Sequence, residues 1–275
     1  MSNLDSLDKI VSLAKARGFI FQSSEIYGGL SAVYDYGPLG VELKNNIRNT
    51  WWKEMTQRHD NIVGVDAAIF MHPKVWEASG HVGGFNDPMI DDKQSKKRYR
   101  ADMLIEQYIA KLEKDGKQDE ADKIQEQLDT TGTRKSLTED LYDIIMENEI
   151  RSPDSGAFDW TEVRQFNLMF KTQFGSTSTE EEGVYLRPET AQGIFVNYKN
   201  VLDTARVQVP FGIAQTGKAF RNEVVARQFV FRMREFEQME MQYFVEPGTD
   251  GDAYEEWLEK RLAWHKSIGI RGENL

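Results

Sequence analysis

Cysteine is missing from all 275 residues, which excludes a disulfide, a thiolate nucleophile and a thiolate-ligated metal. Histidine is scarce. His59, His72, His81 and His265 are the only four, none in a His-Glu-x-x-His pattern, so a histidine-built zinc site is not expected. No apolar run approaches the roughly 18 residues that a membrane helix needs. The opening Met1-Ser-Asn-Leu-Asp-Ser6 has neither a basic stretch nor an apolar one, so a cytoplasmic location with no membrane partner is expected. Positive charge is also short: 34 basic residues face 45 acidic ones, a net charge of -11. That balance argues against broad nonspecific nucleic-acid binding, while leaving room for a local basic patch. No internal repeat or low-complexity segment interrupts the chain. What remains, 40% hydrophobic and 29% charged, is the composition of a globular protein long enough for one large domain, or one domain with an insertion.

The stretch from Phe220 to Glu240 carries most of the chemical information. From Phe231 onward a side-chain period of two predicts a β-strand with two unlike faces. Arg232, Arg234, Phe236, Gln238, Glu240 and Gln242 fall on one face. Phe231, Met233, Glu235, Glu237, Met239, Met241 and Tyr243 fall on the other. Upstream, Arg221 and Glu223 share a face at the end of a strand-like run from Phe211. The eight residues Val224 to Phe231 then suit an antiparallel hairpin with a mobile loop. Read blandly, the polar face is a wet sheet surface with cross-strand Arg–Glu pairs, each worth only some tenths of a kcal/mol. Read chemically, it is an inventory for a nucleotide and a small amino compound. Guanidinium groups bind phosphate in a bidentate way, a phenyl face stacks on a purine, and carboxylates hold an amine or ammonium.

The spacing Phe220-Arg221-x-Glu223, eight residues, Arg232-x3-Phe236-x3-Glu240 resembles motif 2 of class II aminoacyl-tRNA synthetases, and the surrounding wording is similar to the single-chain, homodimeric glycyl-tRNA synthetases. The resemblance extends over essentially the whole chain. It implies an α+β fold, a class II synthetase-like antiparallel β-sheet flanked by helices with a helical insertion. It implies residues 1–90 as the first part of the catalytic domain with motif 1, residues 91–156 as the insertion, and residues 157–275 as the part with motif 2.

Taken in order, Leu4 to Ala16 shows a helical apolar stripe stopped at Gly18. Phe19 to Ser24 reads as a short strand, and glycine- and tyrosine-rich turns follow. Leu43, Ile47, Trp51 and Met55 recur every four residues, predicting an amphipathic helix from Val41 to His59. Asn61 to Pro73 then reads as an apolar strand ended by proline. Helix and strand together resemble motif 1, which implies a dimer interface. Lys93, Lys96, Lys97, Arg98 and Arg100 form a short basic turn that most simply is a solvated face. Tyr99-Arg100-Ala-Asp102 matches a family position where arginine meets the substrate. Leu104, Ile105, Tyr108, Ile109 and Leu112 predict a helix that Gly116 breaks; Ala121, Ile124 and Leu128 predict a second, and Leu137 to Met146 a third. Phe166 to Phe174 reads as a strand, followed by a Ser/Thr/Glu-rich loop over 175–183. Leu186-Arg187-Pro188-Glu189-Thr190 then opens a helix with Pro188 in its first turn. Glu189 there has two readings: compensation of the helix dipole, or the family's amino-acid pocket. Tyr254 to Trp264 marks a last amphipathic helix.

What the resemblance implies for function is a glycine–tRNA ligase that uses ATP with Mg²⁺, forms glycyl-adenylate and passes glycine to the 3′ end of tRNA(Gly). Arg221 is the implied catalytic residue, on the α-phosphate. Arg221, Asn222, Glu223, Phe231, Arg232, Met233, Arg234, Glu235 and Phe236 are the implied ATP-binding set. Arg100, Glu189, Phe236, Glu237, Gln238, Met239 and Glu240 are the implied glycine-binding set. No resident metal ligand is implied. After Glu240 no Gly-x-Gly-x-x-x-Arg segment follows, so the family's motif 3 and its anticodon-binding domain are expected to be absent, as in a truncated catalytic domain. The rival readings are a non-catalytic synthetase-like paralogue that binds tRNA or an amino acid, and a plain α+β interaction domain. The joint presence of Arg221, Glu223, Arg232 and Phe236 favours the ligase.

Overall fold

In a computed structural model, residues 3–132, 135–173, 183–224 and 229–275 are described. Nearly all of the Ser/Thr/Glu loop and half of the hairpin connection read from the sequence lie outside them. The chain divides into two compact units. One comprises Met1–Val75, Phe170–Arg221 and Gln228–Leu275; the other comprises Trp76–Met169 and Asn222–Arg227.

The first unit opens with α1 (Asn3–Ala16), β1 (Ile20–Gln22), β2 (Tyr34–Tyr36), α2 (Pro38–Gln57) and β3 (Ile62–Gly64). Pro38 supplies the fixed φ of a helix start, and Trp51 and Met55 supply α2's buried stripe. β1 and β2 form an antiparallel pair. The apolar strand read over 61–73 is only three residues long, and Pro73 begins a helix instead of ending a strand. The reason is tertiary. Val65 still donates to Ala214, but the Ala67 carbonyl accepts from the Arg187 side chain, so no further ladder forms there.

The second unit contains α3 (Pro73–Ala78, at the boundary), α4 (His81–Gly84), β4 (Asn86–Asp91), β5 (Arg98–Arg100), α5 (Ala101–Lys114), α6 (Gln118–Asp129), α7 (Leu137–Glu147) and β6 (Arg164–Asn167). Its sheet runs β5-β4-β6, antiparallel throughout. Leu104, Ile105, Ile109 and Leu112 of α5 pack with Ile124 of α6, Leu141, Ile144 and Ile145 of α7, and Trp160. α7 begins with a reciprocal cap: Ser136 accepts from the Glu139 N–H while the Glu139 carboxylate accepts from the Ser136 N–H. Asp92 is buried and ties two turns together, accepting from Ser95 and Ser155 hydroxyls at 2.6 Å each and from the Gln94 N–H at 2.9 Å. Burial pushes its carboxyl up, but the donors from Ser155, Ser95, Ser152 and Gln94 outweigh burial and hold it well below the usual carboxylate range.

The strand read over 166–174 is divided at the unit boundary: β6 belongs to the second unit, and β7 (Lys171–Thr172) pairs with β8 (Val184–Tyr185) in the first. Then come α8 (Ala191–Ala205), β9 (Phe211–Phe220), β10 (Glu235–Phe244) and α9 (Asp250–Ser267). β9 and β10 form a ten-residue antiparallel pair, Phe220 opposite Glu235 and Phe211 opposite Phe244; β3 adds to β9 in parallel. Each face of this sheet buries one helical layer. Ile194, Tyr198 and Val201 of α8 pack on Phe211, Ile213 and Phe244. Trp51 and Met55 of α2, with Trp257 and Trp264 of α9, pack on Ala214 and Met241.

Candidate active site

The face of β9 and β10 that carries Phe211, Ile213 and Phe244 as core changes character further along. Period two continues it through Gln215, Gly217 and Ala219 on β9 and through Gln242, Glu240, Gln238 and Phe236 on β10, with Gln215 opposite Glu240 and Gly217 opposite Gln238. One sheet face is thus apolar under α8 and polar beyond it. Glu240, Gln238 and Phe236 are half-buried, neither sealed in a core nor fully exposed.

The turn Arg187–Thr190, between β8 and α8, closes over the polar half. Helix α8 starts at Ala191, so Pro188 and Glu189 precede it and Glu189 lies outside its first turn. Thr190 does not cap its own helix. Its N–H donates to Gln238 Oε1 at 3.2 Å and its hydroxyl donates to Glu240 Oε2. Glu240 Oε1 accepts from Gln242 Nε2 at 2.7 Å, so both oxygens of a half-buried carboxylate are held in place. The Pro188 carbonyl accepts from Arg221 Nε at 3.1 Å, and the Arg221 guanidinium carbon stands 5.2 Å from the Phe236 ring centre, a cation–π contact. Arg187 is 2% exposed; burial lowers its proton affinity, with Asp66 opposing. Gln215 is fully buried, and neither its amide oxygen nor its nitrogen has a partner among the described residues.

Arg221, Phe236, Gln238, Glu240 and the Glu189 turn are therefore brought together in the first unit. The strand starts four residues later than the pattern suggested. Phe229–Phe231 form a 3₁₀ turn with Phe229 at φ 50°, which leaves Arg232, Met233 and Arg234 in the connection. Arg234 is pinned by its backbone, donating to Ala32 at 2.8 Å and accepting from Arg221 at 2.9 Å, and its Nη1 donates to Ser31 at 3.2 Å. Met233 is buried and Phe231 is 75% exposed. The side chains of Glu235, Glu237 and Met239 take the opposite face from Phe236. Glu235 meets Lys218 at 2.5 Å, and Glu237 meets Lys44 and Arg48 of α2 at 2.8 and 3.2 Å. Burial pushes the Glu237 carboxyl up, and these two cations more than reverse it.

Arg100, Asn222 and Glu223 belong to the second unit. Arg100 pairs with Asp87 at 3.2 Å and Asp102 at 2.6 Å. The Asn222 N–H donates to the Leu168 carbonyl at 2.7 Å, and Glu223 is buried. The neighbouring basic turn is a web of ion pairs, Lys93–Asp159, Lys97–Asp154 and Arg98–Asp91. His81 packs between Trp76 and Phe85. Thr190 and Arg187 were missed by the sequence reading. The only signal for Thr190 was a hydroxyl directly after Glu189, 48 and 50 residues from its partners in sequence.

Comparison with known proteins shows the family. The family model for the tRNA synthetase class II core domain (G, H, P, S and T) matches residues 170–275, and that for the glycyl-tRNA synthetase insertion domain 1 matches 87–136 and 115–168. A protein of Chlorobaculum tepidum named glycine–tRNA ligase is 60% identical over 270 residues, 98% of this chain and 57% of that protein. Another of that name from Treponema denticola is 50% identical over 270 residues, 98% and 51%. The chain belongs to the glycyl-tRNA synthetase family. It spans about half the length of the curated relatives it matches. A crystal structure titled as the RNA binding domain of threonyl-tRNA synthetase from Cryptosporidium parvum shares the fold, with a TM-score of 0.51 at 16% identity, covering 94% of this chain and 42% of that one. Among the described residues no helix is long and apolar enough to cross a membrane.

Proposed function

We propose that the protein acts as a glycine–tRNA ligase, activating glycine with ATP to glycyl-adenylate and passing it to the 3′ end of tRNA(Gly). The observation that carries the reading is the Arg221–Pro188 and Thr190–Glu240–Gln238 pair of links. They tie the Pro188–Thr190 turn to Arg221 on one side and to Gln238 and Glu240 on the other, with the Phe236 ring beside Arg221. Arg221 neutralises the α-phosphate as negative charge develops on it, Phe236 stacks on the adenine, and Glu240 with Glu189 holds the glycine ammonium. Gln238 orients the substrate, while Glu237 and Met239 contribute backbone only, since their side chains take the opposite face. Arg232 or Arg234 reaches the triphosphate, with Phe231 and Met233 beside them in the connection, while Glu235, paired with Lys218 on the opposite face, contributes backbone only. Arg100, Asn222 and Glu223 keep the substrate and ATP roles that the family resemblance gives them.

A methyl group is hard to reject by affinity alone, since one methylene is worth about 1–3 kcal/mol. Discrimination against alanine therefore rests on steric overlap with the Thr190 clamp. Among the described residues no three carboxylate or histidine side chains form a ready-made cage. Mg²⁺ held by ATP oxygens and water needs few protein ligands, and we propose that it arrives with the nucleotide. A cytoplasmic homodimer completes the proposal; exposed Ile26, Tyr27, Leu30, Leu39 and Leu43 in the first unit support a self-association surface.

The test is calorimetric binding of Mg–ATP to the wild type and to Arg221→Ala. Binding weakened at least tenfold in a variant with unchanged circular dichroism supports the role of Arg221. Unchanged affinity removes it.

A further inference from the structure

We infer that Arg187 is a positioning residue for the aminoacyl half of this site, holding the Pro188–Thr190 turn at the height where it meets both strands. The inference rests on the ligase reading above. Arg187 precedes a proline, which keeps its backbone extended, and its carbonyl accepts from the Phe220 N–H at 2.9 Å. The side chain turns back under the turn. Nε donates to the Lys218 carbonyl at 2.6 Å and Nη1 to the Ala67 carbonyl at 2.7 Å. One guanidinium thus joins β9, the segment after β3 and the turn itself.

Two features separate this arrangement from ordinary core packing. A buried arginine is costly to desolvate; this one donates to two backbone carbonyls, with the Asp66 carboxylate offsetting only part of the effect of burial. An apolar side chain would fill the space without that cost, so the cost is kept for the geometry it enforces. In addition, Nη2 lies directly against Gly217, where any Cβ would collide with it. Gly217 faces Gln238 across the strand pair, and Gln238 is the acceptor for Thr190. Glycine at 217 is a seat cut for the guanidinium beside the residues that receive the amino acid. Lysine could not reproduce the fork, because a single ammonium cannot serve both carbonyls in their fixed directions.

The experiment compares two ligands by calorimetry, 5′-O-(glycylsulfamoyl)adenosine and 5′-O-sulfamoyladenosine, which lacks the glycyl group. Arg187→Met should lose about tenfold or more in affinity for the first and keep its affinity for the second. Arg187→Lys should fall between. Gly217→Ala, which leaves Arg187 in the chain but fills its seat, should reproduce the loss, and the double variant should be no worse than Arg187→Met, because the two changes break one contact. Equal losses for both ligands, or fully additive losses, would reduce Arg187 to general scaffolding and overturn the inference. So would an unaltered glycyl preference in Arg187→Lys, should Arg187→Met not fold. Failure of the wild type to bind either ligand would instead sink the ligase reading and this inference with it.

Discussion

Thr190 shows how a single residue can be invisible in sequence and decisive in structure. Its neighbours Pro188 and Glu189 drew notice by type, and Arg221, Phe236, Gln238 and Glu240 by their spacing, because period two on a strand is a local property. Thr190 acts through Gln238 and Glu240, 48 and 50 residues away, and no local pattern encodes the register that brings them together. The same holds for Arg187, whose carbonyl partners at Ala67 and Lys218 are backbone groups without sequence identity. Thr190→Val removes the hydroxyl donor to Glu240 and keeps the shape. A hydrogen bond to a charged group is worth about 1.5–3 kcal/mol, so affinity for a glycyl-adenylate mimic should fall roughly 10- to 100-fold, with Mg–ATP binding unchanged. Comparable losses for both ligands would show that Thr190 supports the fold generally.

At the scale of elements, the hydrophobic periodicities gave α1, α2, α5, α6, α7 and α9 to within a few residues, since each has an apolar stripe of its own. The misses share a cause, tertiary bonding overriding local pattern. β3 stops where a side chain takes Ala67's carbonyl, α8 starts late because Thr190 is spent on β10, and β10 starts late because the Arg234 N–H is spent on Ala32. Two predictions belong here. Ser136→Ala removes half of the reciprocal cap on α7 and should cost about 1 kcal/mol in urea unfolding; no change would mean the cap frays in solution. Asp92, with its carboxyl held low, contributes stability that is fully present above about pH 4 and is lost as pH falls through its lowered value. Asp92→Asn should therefore be less stable by about 2–3 kcal/mol at pH 7, the gap closing as the pH is lowered below about 4. A gap that is constant with pH would show that packing, rather than ionisation, is what Asp92 supplies.

At the scale of the whole molecule, the family and an α+β sheet flanked by helices were legible because charged and aromatic positions agree at fixed spacings over the entire chain. The division into two units was only partly legible. A helical block stands out by composition, but β4 and β6, which complete the second unit's sheet, read like strands of any α+β protein. The claim on which everything else depends is that the cluster of Arg221, Phe236, Thr190 and Glu240 is a site for an activated glycine. Thermal denaturation with non-hydrolysable glycyl- and alanyl-adenylate mimics at equal concentration tests it most directly, because a ligand that binds only the folded state must raise its melting temperature. The account predicts a clear rise with the glycyl compound and little with the alanyl one. Equal rises would contradict glycine selectivity, and no rise with either would contradict the site itself.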